Sequence, residues 1–184
     1  MRFSKIEIYE IAKALFAVSL MFALAYAGFS LNLVYIFPMI LFTVGIGFVL
    51  HELGHKFLAQ KYGCWAEFRS DNQMLLVGLL ISVTGFVLAA PGGVYIRGAT
   101  KSQHGRIALA GPLVNIVLAS LFGILNLLFP SMIFKFGFSI NALLGLFNLI
   151  PFPPFDGHAV LQWNKVAYGV SLVLASVLFA VSFF

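Results

Sequence analysis

The chain has 184 residues, of which 61% are hydrophobic and 9% charged, with a formal net charge of +5 and a mean hydropathy of +1.02. A soluble domain is about a quarter charged, so this composition excludes an ordinary water-soluble enzyme and indicates an all-α, polytopic membrane protein. The eleven Lys and Arg are spread over short segments between apolar runs, which reads as topology signals facing anionic lipid and not as a nucleic-acid-binding stripe.

The length suits one transmembrane domain, 1–184, and leaves nothing for a soluble module. Cys64 is the single cysteine, so no disulfide forms within the chain. The first apolar stretch, from about Ile8 to Ala27, is interrupted by Glu10 and Lys13 and lacks a clear small-residue cleavage site. It reads as a membrane helix, not a cleaved leader. The second helix runs from about Leu33 to Tyr62, with Pro38 near its start and Gly63 at its end. Lys56 and Lys61 fall in its last turns, where cations suit a helix C-terminus and a water interface.

A polar loop from Gly63 to Gln73 precedes an apolar run, Met74 to Ala90, and then Pro91 to Gly98, which reads as a short membrane-edge strand between breakers. The remaining helices are about Arg106 to Phe129, stopped by Pro130; Phe136 to Ile150, stopped by a proline-rich loop; and Val166 to Phe184. That makes five hydrophobic helices and one re-entrant candidate, 74–90. If Arg2, Lys5 and Lys13 are cytoplasmic, a full crossing by 74–90 would put Arg97, Lys101 and Arg106 outside, against the positive-inside rule. It would also carry Asp156 to the face away from His51. The segment is therefore expected to enter and leave on one face, with Gly78 and Gly85 as places to bend.

His51-Glu52-Leu53-Gly54-His55 closes an apolar run that begins at Met39 and contains no charge. Histidines at i and i+4 share a helix face and together can bind one Zn²⁺, and the glutamate beside the first can take a proton from water. Ionisable groups in a membrane helix are costly and mark function by default. The pattern thus points to one zinc per chain, with His51 and His55 as ligands and Glu52 as general base. A catalytic zinc needs a third protein ligand and an open position. Asp156, His104, His158 and Cys64 are the candidates. Asp156 has the best surroundings, since the prolines before it break the preceding helix, and broken backbone at membrane depth is tolerated only when buried in protein or lining a wet cavity. The opposing reading is a plain turn in which Asp156 caps the next helix.

Three motifs in order, His51 to His55, Gly111-Pro112-Leu113-Val114-Asn115, and Asn148-Leu149-Ile150-Pro151-Phe152-Pro153-Pro154-Phe155-Asp156-Gly157, resemble the site-2 protease family of intramembrane zinc metalloproteases. The resemblance spans about residues 51 to 157. It implies a three-helix catalytic core, zinc held by His51, His55 and Asp156, Glu52 as catalytic base, and Asn148 holding substrate or the oxyanion. It also implies transmembrane protein substrates cleaved within or near the bilayer of the cell membrane. His158 stands where many members have a second glycine, the apolar run 74–90 lies where many have a short membrane-edge sheet, and no PDZ or CBS module is attached. Asn115 is expected to hydrogen-bond between helices. The alternative reading is a polytopic metal or proton transporter using the same ionisable cluster.

Overall fold

The computed structural model describes residues 1–87 and 91–184. Its elements are α1 (Lys5–Ala27), α2 (Asn32–Ile40), a π-helical turn (Leu41–Gly45), α3 (Ile46–Lys61), β1 (Trp65–Ser70), α4 (Asn72–Ser82), β2 (Gly92–Arg97), α5 (Lys101–Leu128), α6 (Met132–Asn148), α7 (Asp156–Trp163) and α8 (Lys165–Val181). The all-α membrane architecture is as expected. Among the described residues, α1, the continuous run Asn32–Lys61 and α5 are long and apolar enough to cross a membrane. At 17 residues each, α6 and α8 reach about 25 Å. The chain divides into two compact units, Met1–Val49 with Glu67–Tyr95, and Leu50–Ala66 with Ile96–Phe184.

In the first unit, α1 starts at Ser4, whose side chain accepts from the Glu7 amide at 3.0 Å. The next turn carries two carboxylates, Glu7 and Glu10, which face the same side at i and i+3. Glu7 is fully buried and accepts from the Phe68 amide at 2.8 Å. Glu10 accepts from the Ser70 amide at 3.2 Å and from its hydroxyl. Alternate amides of β1 point the same way, so two carboxylates one helical turn apart meet two amides two residues apart. The strand's outer edge is thereby paired with side chains instead of another strand. The polar loop expected between Gly63 and Gln73 is in fact largely this strand. Its alternation, with Ala66 and Phe68 buried, is real but only six residues long, and its partners lie far off in sequence.

Trp65–Ser70 pairs with Gly92–Arg97 in a two-stranded sheet, so the expected edge strand is present together with the apolar segment, not displaced by it. Asp71 donates its amide to Pro91 O at 3.0 Å, and hence the segment between them returns to where it began. Its helix, α4, has 11 residues, about 16 Å, against a hydrocarbon core of about 30 Å. Asp71 caps it by accepting from the Gln73 and Met74 amides, and a turn follows at Gly85, where φ is +88°. The last residues of the expected 74–90 segment, 88–90, lie outside the described residues. Leu75 packs with Ala17 and Met21 of α1.

Pro38 falls inside α2, where a proline lacks the N–H of the helix ladder. A π-helical turn follows directly, and the Ile46 amide reaches Leu41 O. Such single-turn insertions often lie next to functional sites.

In the second unit, α5 begins five residues earlier than expected because Thr100 and Gln103 form a reciprocal capping box. Pro112 is therefore well inside the helix. α6 packs antiparallel along α5, and α8 closes on both through Ile116, Leu149 and Ala175. Lipid tails are as apolar as these side chains, so close packing and interhelical hydrogen bonds supply the cohesion. Lys56, expected at a water interface, is instead 1% exposed and donates to Ala66 O at 2.9 Å.

If the segment between β1 and β2 returns to one membrane face, cysteines placed one at a time at Gln73 and Tyr95, in a Cys64→Ser background, will be labelled by an impermeant reagent from the same side of oriented membranes. Labelling from opposite sides would rule this out.

Candidate metal centre

α3 places His51 and His55 one turn apart on one face. Their Nε2 atoms are 3.0 Å apart, and the rings meet edge to face at 82°. Both are buried, at 5% and 7% exposure. Asp156, the first residue of α7, brings Oδ2 to 3.2 Å from the Nε2 of each histidine. Three donor atoms thus form a nearly equilateral triangle contributed by two helices. A carboxylate oxygen of Glu52 and the two imidazole nitrogens also lie within 4.8 Å of one another.

The arrangement fits zinc. Ligands of a tetrahedral zinc with bonds of about 2.0–2.1 Å stand about 3.3–3.4 Å apart, close to the observed edges. Two imidazoles and one carboxylate are also a donor set of catalytic zinc sites that keep a fourth position open.

The outer ring nitrogens are each occupied. His55 Nδ1 is 2.7 Å from Ile107 O, and His51 Nδ1 is 2.6 Å from Asn115 Oδ1, both partners lying on α5. Asn115 donates to Asn141 Oδ1 on α6 at 3.2 Å, so the expected interhelical hydrogen bond is present. Asn141 was not singled out in the sequence. Its signal is an amide midway along an apolar helix, which wants partners but does not name them.

Glycines make the triangle possible. A Cβ at Gly111 would collide with His55 Nε2 and lie 2.6 Å from His51 Nε2, so only glycine leaves room there for the two imidazoles. At Gly157 a Cβ would strike the Leu149 carbonyl at the end of α6. That close approach lets α7 start against α6 and carry Asp156 inward. Asp156, the candidate with the best surroundings in the sequence, opens α7, and its carboxylate faces the histidines and does not merely cap the helix.

The other candidate donors are elsewhere engaged or placed. His158 Nδ1 is 3.3 Å from Pro151 O and its Nε2 is 2.9 Å from Gln162 Nε2. His104 is exposed in the first turn of α5, and Cys64 is buried past the end of α3. Asn148 ends α6, where its amide donates to Leu144 O at 3.0 Å.

Gly111→Ala is expected to weaken zinc binding by about tenfold or more, because the ligand side chains must move aside, whereas Gly169→Ala, whose Cβ meets nothing within 4 Å, leaves it unchanged. Chelator competition on the purified proteins measures both.

No protein-family model matches the chain, and no solved structure matches it. Curated relatives do. The chain is 43% identical to MJ0611 of Methanocaldococcus jannaschii over 92% of its own length and 90% of the relative's. It is 28% identical to YwhC of Bacillus subtilis over 68% of each chain, and 30% identical to Rip2 of Mycobacterium tuberculosis over 76% of this chain and 59% of that one. Each of the three is named, by assignment, a zinc metalloprotease. With the first relative matched over nearly its whole length, and with a His-Glu-His cluster and an aspartate shaped for zinc, this chain belongs to the zinc metalloproteases and is a zinc-dependent peptidase.

Proposed function

We propose that this zinc metalloprotease is an intramembrane protease of the site-2 type, a multi-pass protein of the cell membrane that cleaves transmembrane protein substrates within or near the bilayer. The observation that carries this reading is the place of the donor triangle. It is built on a run of 30 residues, Asn32–Lys61, apolar enough to cross a membrane, and His51 stands ten residues before its end, about 15 Å along the axis. A peptidase for soluble substrates has no need of a centre buried at that depth. The transporter reading has no support among the relatives, whose names are those of metalloproteases.

In this reading His51, His55 and Asp156 hold the metal and Glu52 is the base. Bound zinc supplies Lewis acidity toward a peptide carbonyl and makes a water molecule acidic enough to be deprotonated near neutral pH. The Ile107 carbonyl and the Asn115 amide orient the two imidazoles, so that their Nε2 lone pairs converge. Glu52, beside a ligand but not itself one, takes the proton of the attacking water on its carboxylate and passes it to the leaving amine nitrogen. Asp156 is 20% exposed at its side chain, which gives water an approach from its side. Asn148 stands eight residues before Asp156 on the rim of the same loop, where a short side-chain movement would free its amide for a substrate carbonyl.

Glu52→Gln is expected to keep one zinc per chain and lose peptide cleavage, and Asp156→Ala to lose both, while His158→Ala retains both. Metal analysis together with turnover of single-span substrates reconstituted in liposomes, with and without chelator, checks the set. Mass-spectrometric mapping of the product ends tests the location: cuts only in the soluble flanks of the substrate would sink the intramembrane assignment, and loss of zinc in Glu52→Gln would make Glu52 a ligand.

A further inference from the structure

A histidine that binds metal through Nε2 must carry its proton on Nδ1, and the partner of Nδ1 decides whether it does. For His55 that partner is the Ile107 carbonyl at 2.7 Å, which can only accept, so the proton is placed directly. His51 is different. Its Nδ1 faces the side-chain amide of Asn115 at 2.6 Å, and a primary amide can turn either its oxygen or its NH₂ toward a ring nitrogen. With the NH₂ turned inward, the proton of His51 would move to Nε2 and block the lone pair the metal needs.

The orientation is set one contact further away. Asn115 and Asn141 are both fully buried, and Asn115 Nδ2 donates to Asn141 Oδ1 at 3.2 Å. Asn141 Nδ2 in turn donates to Gly137 O on its own helix at 2.9 Å. A backbone carbonyl has no hydrogen to give. Starting from it, Asn141 must present NH₂ to Gly137 and oxygen to Asn115; Asn115 must then present NH₂ to Asn141 and oxygen to His51; and His51 must hold its proton on Nδ1. Flipping both amides would set two acceptor oxygens against each other at Gly137, a costly arrangement for a fully buried side chain.

We propose that Asn141, acting through Asn115, fixes the tautomer of His51 and is thereby a positioning residue for the metal centre, although it touches neither metal nor substrate. Both imidazoles are then polarised by backbone carbonyls, His55 by one hydrogen bond and His51 by a chain of three that runs from α3 across α5 to α6. The proposal rests on His51 being a zinc ligand, and its test separates the two.

The experiment is ¹⁵N NMR of histidine-labelled, metal-free protein in detergent, above the imidazole titration range, paired with zinc competition against a chelator, for wild type, Asn141→Leu and Asn141→Ser. The serine variant keeps a small polar side chain should the leucine variant fail to fold. In wild type the His51 Nδ1 resonance is expected to be that of a protonated nitrogen, whether or not the Asp156 carboxylate also draws a proton to Nε2. In the variants His51 becomes a mixture of tautomers, His55 is unchanged, and zinc affinity falls by about 10- to 100-fold. A folded variant that keeps either the wild-type His51 tautomer or the wild-type affinity overturns the relay. Wild-type protein that fails to bind zinc overturns the ligand assignment instead, and the tautomer measurement still reads the relay.

Discussion

Two imidazoles on one face of a membrane-length helix carry four ring nitrogens into surroundings with little water, and every one of them needs a partner. That demand organises the second unit. The Nε2 atoms converge on the Asp156 carboxylate, and the Nδ1 atoms are met by Ile107 O and Asn115, 52 and 64 residues away in sequence. These contacts tie α3 to α5 at two points and to the start of α7. The polar groups that suit the centre to zinc are therefore also the groups that fix α5, α6 and α7 around it, where apolar packing alone gains nothing over lipid.

Close approach is the second requirement, and it is met by removing side chains. Gly111 vacates the volume that the two imidazole Nε2 atoms occupy, and Gly157 lets the start of α7 press against the carbonyl at the end of α6. The irregular backbone of residues 149–155 is anchored at its start by Leu149, which is fully buried and packs with Ile116 and Ala175, while Phe152, Pro153 and Pro154 are exposed. The loop thus carries the Asp156 carboxylate inward to the two imidazoles.

The first unit satisfies a different set of donors by the same logic. A two-stranded sheet leaves an outer edge of unpaired amides, and along β1 the amides of Phe68 and Ser70 are taken up by Glu7 and Glu10 of α1. Two of the chain's six acids are spent on this edge, as structural acceptors and not as chemistry. The same edge pairing brings Asp71 against Pro91, so the apolar excursion through α4 is closed at its base.

The sequence by itself determined the membrane class, the long helices and the two histidines with their glutamate, because these depend on composition and on spacing within one helix. The i, i+4 spacing puts His51 and His55 on one face whatever surrounds them, and three prolines within four residues, Pro151, Pro153 and Pro154, end the helical run in any context. It did not determine β1, whose six residues acquire strand character only when β2 and the α1 carboxylates supply partners. Nor did it place Lys56, whose helix-end position suggested solvent while its hydrogen bond to Ala66 O keeps it buried. Asn141 was illegible for the same reason. An amide in an apolar helix announces that it needs a partner, but which partner, and so which proton it governs on His51, depends on how α5 and α6 are set against each other. Local periodicity records which residues face one way; only the folded chain decides what they meet there, because hydrogen bonds between helices have no signature in spacing.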